Sequence, residues 1–203
     1  MNNLKSLATL SNRYYGMRHG QSLANQARIV VSFPENGLNG FGLSDSGRRQ
    51  VNEVMVSTHL LDDNAIILCS DFKRARETAD IVHGRLQSRS DVVTDLRLRE
   101  RNFGDLELKK DDAYRQIWAQ DSSNPGHHDY NVESACEVMD RTSALIAELE
   151  NQSNGVTYLL VSHGDALQIL QAAFYRHSAA HHRELPHLET AEIRRFELQV
   201  PLK

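Results

Sequence analysis

Three short, almost wholly apolar runs constrain the fold of this chain more than any other feature: Tyr14-Tyr15-Gly16-Met17, Ala65-Ile66-Ile67-Leu68-Cys69 and Val156-Thr157-Tyr158-Leu159-Leu160-Val161-Ser162. A strand with one wet face alternates apolar and polar residues, so continuous runs of this length suit strands covered on both faces. Between them lie stretches with helical spacing. Ser44 is placed to cap a helix reaching about Leu61, with Val51, Val54 and Met55 on one side. Asp71 begins a second, to about Leu86, and Glu133 to Leu149 makes a third, carrying Cys136, Met139, Leu145 and Leu149. This alternation predicts an α/β layer fold around a largely parallel central sheet. Ligands of such sheets bind beyond the carboxyl ends of the strands, so the residues just after the apolar runs are the first candidates for a site.

Those residues are rich in chemistry. Arg18-His19-Gly20 follows the first run, Ser70-Asp71-Phe72-Lys73-Arg74-Ala75-Arg76-Glu77-Thr78-Ala79 the second, and the third ends as Val161-Ser162-His163-Gly164. Before the third stands Leu98-Arg99-Glu100-Arg101-Asn102-Phe103-Gly104. Moving a phosphoryl group requires an in-line nucleophile, positive charge around the non-bridging oxygens and an acid for the departing alkoxide. A neutral His19 imidazole, with an ordinary pKa near 6.5, is able to attack phosphorus and form a phosphohistidine. Glu100 suits the acid and later the base, provided burial or a nearby anion raises its pKa. The charge-rich run from Leu96 to Arg101 also reads as a solvated surface strand.

Composition narrows the partners. A chain of 203 residues, 40% hydrophobic, is able to bury one sizeable core. The net charge of −4 gives no basic footprint for nucleic acid. The 18 arginines against 5 lysines favour bidentate phosphate recognition. Cys69 and Cys136, the only cysteines, are too few for a disulfide framework and point to a reducing cytoplasm. Neither Met1 to Leu10 nor any later run is apolar enough for a signal peptide or membrane span, so a soluble protein without a membrane partner is expected. Gly37-Leu38-Asn39-Gly40-Phe41-Gly42 lacks the Lys-Ser/Thr ending of a nucleotide cradle and reads as a flexible loop near the site.

The four motif segments, in this order from about Tyr14 to about Phe196, resemble the histidine phosphatase superfamily, which includes cofactor-dependent phosphoglycerate mutases and many phosphomonoesterases. The resemblance implies a three-layer phosphoglycerate mutase-like fold, with helices on both faces of a mostly parallel sheet. It implies one domain over 1–203, with a lid-forming insertion at about 105–155. It gives phosphate-binding roles to Arg18, Arg74 and His163 around His19, with Glu100 as acid and base. Within Ser-x-x-x-Arg-Ala-x-x-Thr-Ala the site arginine precedes the first Ala, which selects Arg74 and leaves Arg76 for surface carboxylates. The match to Arg-His-Gly-x-Ser-x-x-Asn adds Gln21, Ser22 and Asn25 as substrate contacts, although Asn25 also reads as a turn residue. Arg101, directly after the acid, is expected to touch the rest of the substrate. No metal or other cofactor is implied.

Departures from the pattern bear on the substrate. The Trp and Asp that many members carry before the Leu43-Ser44 helix start are absent, and the acid segment ends Asp105-Leu106-Glu107-Leu108. The lid is short, with Arg115 and Arg141 its only site-candidate arginines. A short lid admits water, so hydrolysis of a small phosphomonoester is expected over retention of an intermediate. A small phosphorylated substrate and a possible homodimer complete the expected partners. The alternatives are mutase-type phosphoryl transfer, a phosphohistidine protein phosphatase, a non-catalytic phosphate-binding module, and a metal hydrolase drawing on His19, His163 and the His127-His128 and His181-His182 pairs. Arginines beside the two best-placed histidines oppose a dication, and the histidine pairs read as exposed.

Overall fold

Arg13–Arg18 (β1), Ile66–Cys69 (β2), Val93–Thr94 (β3), Thr157–Ser162 (β4) and Ile193–Phe196 (β5) form one sheet in the order β3-β2-β4-β1-β5. The structure is a computed structural model that describes residues 1–199. The first four strands run parallel, and β5 closes the edge antiparallel to β1. Seven α-helices accompany them among the described residues: Leu23–Ala27 (α1), Pro34–Gly37 (α2), Asp45–Ser57 (α3), Lys73–Leu86 (α4), Tyr114–Asp121 (α5), Ala135–Gln152 (α6) and Gly164–Phe174 (α7).

Strand side chains alternate between faces, and here both faces are buried. Tyr14, Leu68, Tyr158 and Leu160 pack with Val138, Leu145 and Ile146 of α6 and Leu167 and Leu170 of α7. Tyr15, Met17, Ile67, Leu159 and Val161 pack the other way, against Val51 and Met55 of α3 and Ala75, Ala79 and Val82 of α4. This explains why the runs show no polar alternation, and it yields the expected three layers. Cys69 lies within this second layer, where burial pushes its thiol up to about 12 and makes it a packing residue.

Helix ends differ from the sequence expectation in small ways. Ser44 does cap α3, its side chain accepting from the Gly47 N–H, but the helix stops at Ser57 because Thr58 turns extended (φ −84, ψ 140). α4 starts at Lys73, and α6 starts behind a capping box of Ser134 and Glu137 and continues to Gln152. The segment 105–155, expected as one lid, divides in two. Residues 111–118 border the site cavity, whereas α6 is a layer of the core and not a cover. Among the described residues no helix is long and apolar enough to cross a membrane.

Register sets up the site. Arg18 of β1 lies opposite Ser162 of β4, so the chain leaves both strands at the same level and His19 and His163 emerge side by side. Ser70, just past β2, is drawn to the same edge by its N–H bond to Val161 O (3.0 Å).

Candidate active site

Three adjacent parallel strands thus deliver their following residues to one place. The His19 and His163 rings stand 5.1 Å apart between centroids, edge to face. His19 Nδ1 lies 2.7 Å from Gly20 O, and a carbonyl only accepts, so Nδ1 carries the proton and Nε2 keeps its lone pair. Arg74, in the first turn of α4, donates Nε to that Nε2 at 3.1 Å. Burial, then the Arg74 and Arg18 charges, hold the His19 pKa well below its ordinary value, so the ring is neutral at physiological pH.

His163 is fully buried, with Nε2 2.9 Å from Ser70 Oγ. Ser70 Oγ accepts from the Phe72 N–H (3.2 Å), and in the tautomer where it gives its own proton to Nε2 the ring N–H is on Nδ1. Burial, then Arg74 and His19, push His163 well below the usual imidazole value, which favours the neutral ring. Arg18 donates Nη1 to Leu188 O at 3.0 Å. Its Nε, Arg74 Nη1 and His163 Nδ1 are buried without a hydrogen-bond partner among the described residues. Buried donors are nearly always paired, so three of them around one imidazole outline a place for the oxygens of an anion.

Glu100 reaches the same cavity, of about 340 Å³, whose wall includes Arg18, His19 and Arg74. It is not on a solvated strand. A 3-10 turn, Leu96–Leu98, is held by Ser162 Oγ on Leu98 O (2.7 Å), and Arg141 of α6 donates to the carbonyls of Arg97 (2.6 Å) and Arg99 (3.0 Å). Arg99 closes a two-point pair with Asp71 (2.8 and 2.6 Å). Glu100 Oε1 accepts from the N–H groups of Arg101 (3.0 Å) and Ala166 (3.2 Å). Burial first, then the Asp165 carboxylate, raise the Glu100 pKa against the pull of Arg74, which favours the protonated form.

A family model described as the histidine phosphatase superfamily (branch 1) matches residues 14–200. The chain belongs to this superfamily. It is 32% identical over 162 residues to a probable phosphoglycerate mutase, GpmB, of Escherichia coli, covering 77% of this chain and 71% of that protein. Among solved structures, Bacillus stearothermophilus YhfR superposes with a TM-score of 0.73 at 27% identity, over 95% of this chain and 96% of that one. A mycobacterial glucosyl-3-phosphoglycerate phosphatase complexed with VO3 gives 0.72 at 27% identity, over 90% of each chain. The named relatives of this histidine phosphatase superfamily member thus include both a mutase and a phosphatase.

Not every expected contact of a superfamily site lies on the cavity. Arg101 does not. Its guanidinium is fully buried, paired at two points with Asp121 (2.6 and 2.8 Å), donating to Glu133 O (2.7 Å) and reaching Asp165 at 3.3 Å. A side chain so engaged has no edge to offer a substrate; it ties α5 to the start of α7. Removing one partner of a buried ion cluster costs about 3–5 kcal/mol, because the remaining charges lose their counter-ion. Arg101→Met is therefore expected to lower the melting temperature by roughly 6–20 °C for a chain of this size. A shift under 2 °C in a thermal melt, taken as roughly 1 kcal/mol or less, would refute the structural role.

Gln21 is also corrected. It packs beneath the loop, with Oε1 and its carbonyl both 3.0 Å from Ser44 Oγ, and is not on the cavity wall. Here α3 presses on the His19 loop so closely that a Cβ at Gly20 would lie 2.6 Å from Gly47 O. Ser22 and Asn25 do line the cavity, joined as the capping box of α1. Asn25 Oδ1 accepts from Ser22 N–H (3.0 Å) and Oγ (2.9 Å), which leaves its amide N–H₂ as the end available to a ligand.

Arg76 donates to Leu38 O (2.7 Å) instead of pairing with a surface carboxylate. With Gly37 seated against the Phe72 ring, it anchors the 37–42 stretch, which is not on the cavity wall. The histidine pairs split. His128 and His181 are exposed, but His127 bonds Asp121 at 3.0 Å and His182 is fully buried 3.6 Å from Asp165. Sequence reasoning missed Tyr114, Trp118, Asp165, Arg183 and His187 on the cavity wall. Asp165 alone had a local signal, two residues beyond His163.

Proposed function

We propose that the protein is a cytoplasmic phosphomonoesterase acting on a small phosphorylated metabolite through a phosphohistidine at His19. The observation that supports this reading is a neutral His19 whose Nε2 is bonded only by Arg74 Nε, with Arg18 Nε, Arg74 Nη1 and His163 Nδ1 buried and unpaired and with the Glu100 carboxyl, its pKa raised, on the same cavity wall as His19. The non-bridging oxygens take the places next to Arg18 Nε, Arg74 Nη1 and His163 Nδ1, and Asn25 supplies a further N–H. An incoming phosphoryl oxygen takes over the Arg74 Nε–H and frees the lone pair; Nε2 then attacks phosphorus, the bond to the alcohol oxygen breaks, and Glu100 gives that oxygen its proton. Water then attacks the phosphohistidine, Glu100 takes the water proton, the N–P bond breaks, and inorganic phosphate leaves.

The scheme takes its positive charge from guanidinium groups, so phosphate release is expected to persist in a strong chelator. Loss of activity in chelator, restored by a divalent ion, would favour metal-assisted hydrolysis instead. The pH dependence has a definite sign. The first step needs His19 deprotonated and Glu100 protonated; kcat/KM rises through a His19 pKa well below 6.5 and falls as Glu100 ionises above the ordinary carboxylate range. Steady-state kinetics across pH should give an optimum on the acid side of neutrality, and activity that keeps climbing into alkaline buffer would contradict it.

Mutase-type transfer is the second reading, favoured by the likeness to the probable phosphoglycerate mutase. A panel of phosphomonoesters assayed for released phosphate, together with 3-phosphoglycerate plus a trace of 2,3-bisphosphoglycerate, separates the two. Isomer formation without phosphate release would overturn the hydrolase reading.

A further inference from the structure

Phosphoryl chemistry occupies the inner end of the cavity, while its outer wall carries a buried network of charges that converges on Asp165, the second residue of α7. The reaction scheme leaves Asp165 unused. Its Oδ1 accepts from Trp118 Nε1 at 3.0 Å, and its Oδ2 lies 3.3 Å from Arg101 Nη1. His182 Nε2 stands 3.6 Å from Oδ1, and Arg183 Nη1 stands 3.9 Å from it. The link to the acid runs through the backbone. Of the two N–H groups that hold Glu100 Oε1, one is that of Arg101 itself and the other is that of Ala166, directly after Asp165. The Arg101–Asp165 contact therefore cross-ties the two segments that grip Glu100. With Oε1 taken by two donors, Oε2, which has no hydrogen-bond partner among the described residues, is the oxygen left to carry the proton.

We propose that Asp165 is a positioning residue for the acid step: it fixes the two segments around Glu100 and keeps a permanent negative charge beside it, so that Oε2 holds its proton until the leaving oxygen takes it. The proposal rests on the reading of Glu100 as the acid of a phosphomonoesterase. Burial works against the Asp165 charge, but His182, Arg101 and Arg183 outweigh it and hold the carboxyl below its ordinary pKa. Glu100 is pushed the other way, by burial first and by Asp165 next. Two carboxyls on one cavity wall thus take opposite protonation states, one a lasting anion and the other an acid, as proton donation near neutral pH requires. The remaining charged and titratable neighbours are accounted for. Asp121 of α5 pairs with Arg101 and His127 and lies 3.9 Å from His182, so it competes with Asp165 for the same cations. Arg74 of α4 and Tyr114 of α5 share the cavity with Glu100; Arg74 draws Glu100 towards the anion, and Asp165 offsets that pull.

The pH profile of kcat/KM for an alkyl phosphate tests the idea. Asp165→Asn removes the charge, so the alkaline fall that belongs to Glu100 should begin about one pH unit lower, with the acid limb set by His19 in place. On the alkaline side this reads as a loss of up to about tenfold, and much less for p-nitrophenyl phosphate. Asp165→Glu keeps the charge and should keep the limb near its original pH. Asp165→Ser, whose hydroxyl is able to accept from Arg101 or the indole, is a second neutral variant should the asparagine chain fold poorly. An alkaline limb unmoved in the neutral variants, or equal slowing at every pH and for both leaving groups, overturns the proposal. Infrared spectra of the carboxyl band, taken with and without Glu100→Gln, read the Glu100 titration without chemistry. A titration lowered by Asp165→Asn or Asp165→Ser in a protein that releases no phosphate would keep the coupling and dismiss the phosphomonoesterase reading. A titration unchanged by either would dismiss the coupling whatever the activity.

Discussion

His19→Ala is expected to abolish phosphate release, lowering kcat/KM at least about 10⁴-fold for every phosphomonoester the protein hydrolyses. The size follows from what remains. Arg18, Arg74 and His163 still hold the phosphoryl oxygens, so binding persists, but no lone pair stands in line with phosphorus and no covalent intermediate divides the barrier. The variant is also expected to fold normally. The ring bonds only the neighbouring Gly20 carbonyl and Arg74 Nε, the Arg74 guanidinium keeps its bond to Val31 O (2.9 Å), and the loop is placed independently by its backbone bond to Ser162 O (3.0 Å). Rapid quenching with phosphorus-32-labelled substrate checks the chemistry directly. Label should appear on the unsubstituted chain as an acid-labile, base-stable adduct and be absent from His19→Ala. Labelling that survives the substitution would move the nucleophile elsewhere.

Glu100→Gln should slow hydrolysis by about 10²–10⁴-fold for alkyl phosphates and much less for p-nitrophenyl phosphate, whose leaving group needs no proton. Glutamine keeps the carbonyl oxygen that accepts from the Arg101 and Ala166 N–H groups, so the local backbone has no reason to move. What is lost is the proton delivered to the departing oxygen. A plot of rate against leaving-group pKa should therefore steepen in the variant, and the alkaline fall of kcat/KM should disappear. Uniform slowing across leaving groups would remove Glu100 from the acid role and leave Tyr114, which shares the cavity wall, as the next candidate.

The inner site was readable from sequence because its residues follow strands directly. A short apolar run locates a strand end to within a residue or two, and parallel register then puts His19 beside His163 across a long stretch of chain. Arg74 was equally accessible, standing in the first turn of the helix after β2. The outer wall was not. Trp118 and Arg183 sit on short helical segments and His187 in the irregular stretch that follows, and their convergence depends on how α5 and the 179–184 turn dock, which no local spacing encodes. Arg101 failed for a related reason. Its neighbour Glu100 faces the cavity, but adjacent residues in an irregular segment point in unrelated directions, and Asp121 and Asp165 captured the guanidinium first. His127 and His182 misled because polar neighbours in sequence suggest exposure, whereas buried carboxylates elsewhere in the chain had need of them.

The strand order carries a consequence for how the protein acquires activity during synthesis. β1 is flanked by β4 and β5, so it finds neither neighbour until residues 157–162 and then 193–196 have left the ribosome. Until then the backbone N–H and C=O groups along its edges stay unpaired and its apolar faces uncovered, a state open to chaperone capture and to association with other nascent chains. Assembly should accordingly be slow and all-or-none, with the sheet edge that carries His19 and His163 completed only as β5 is laid down.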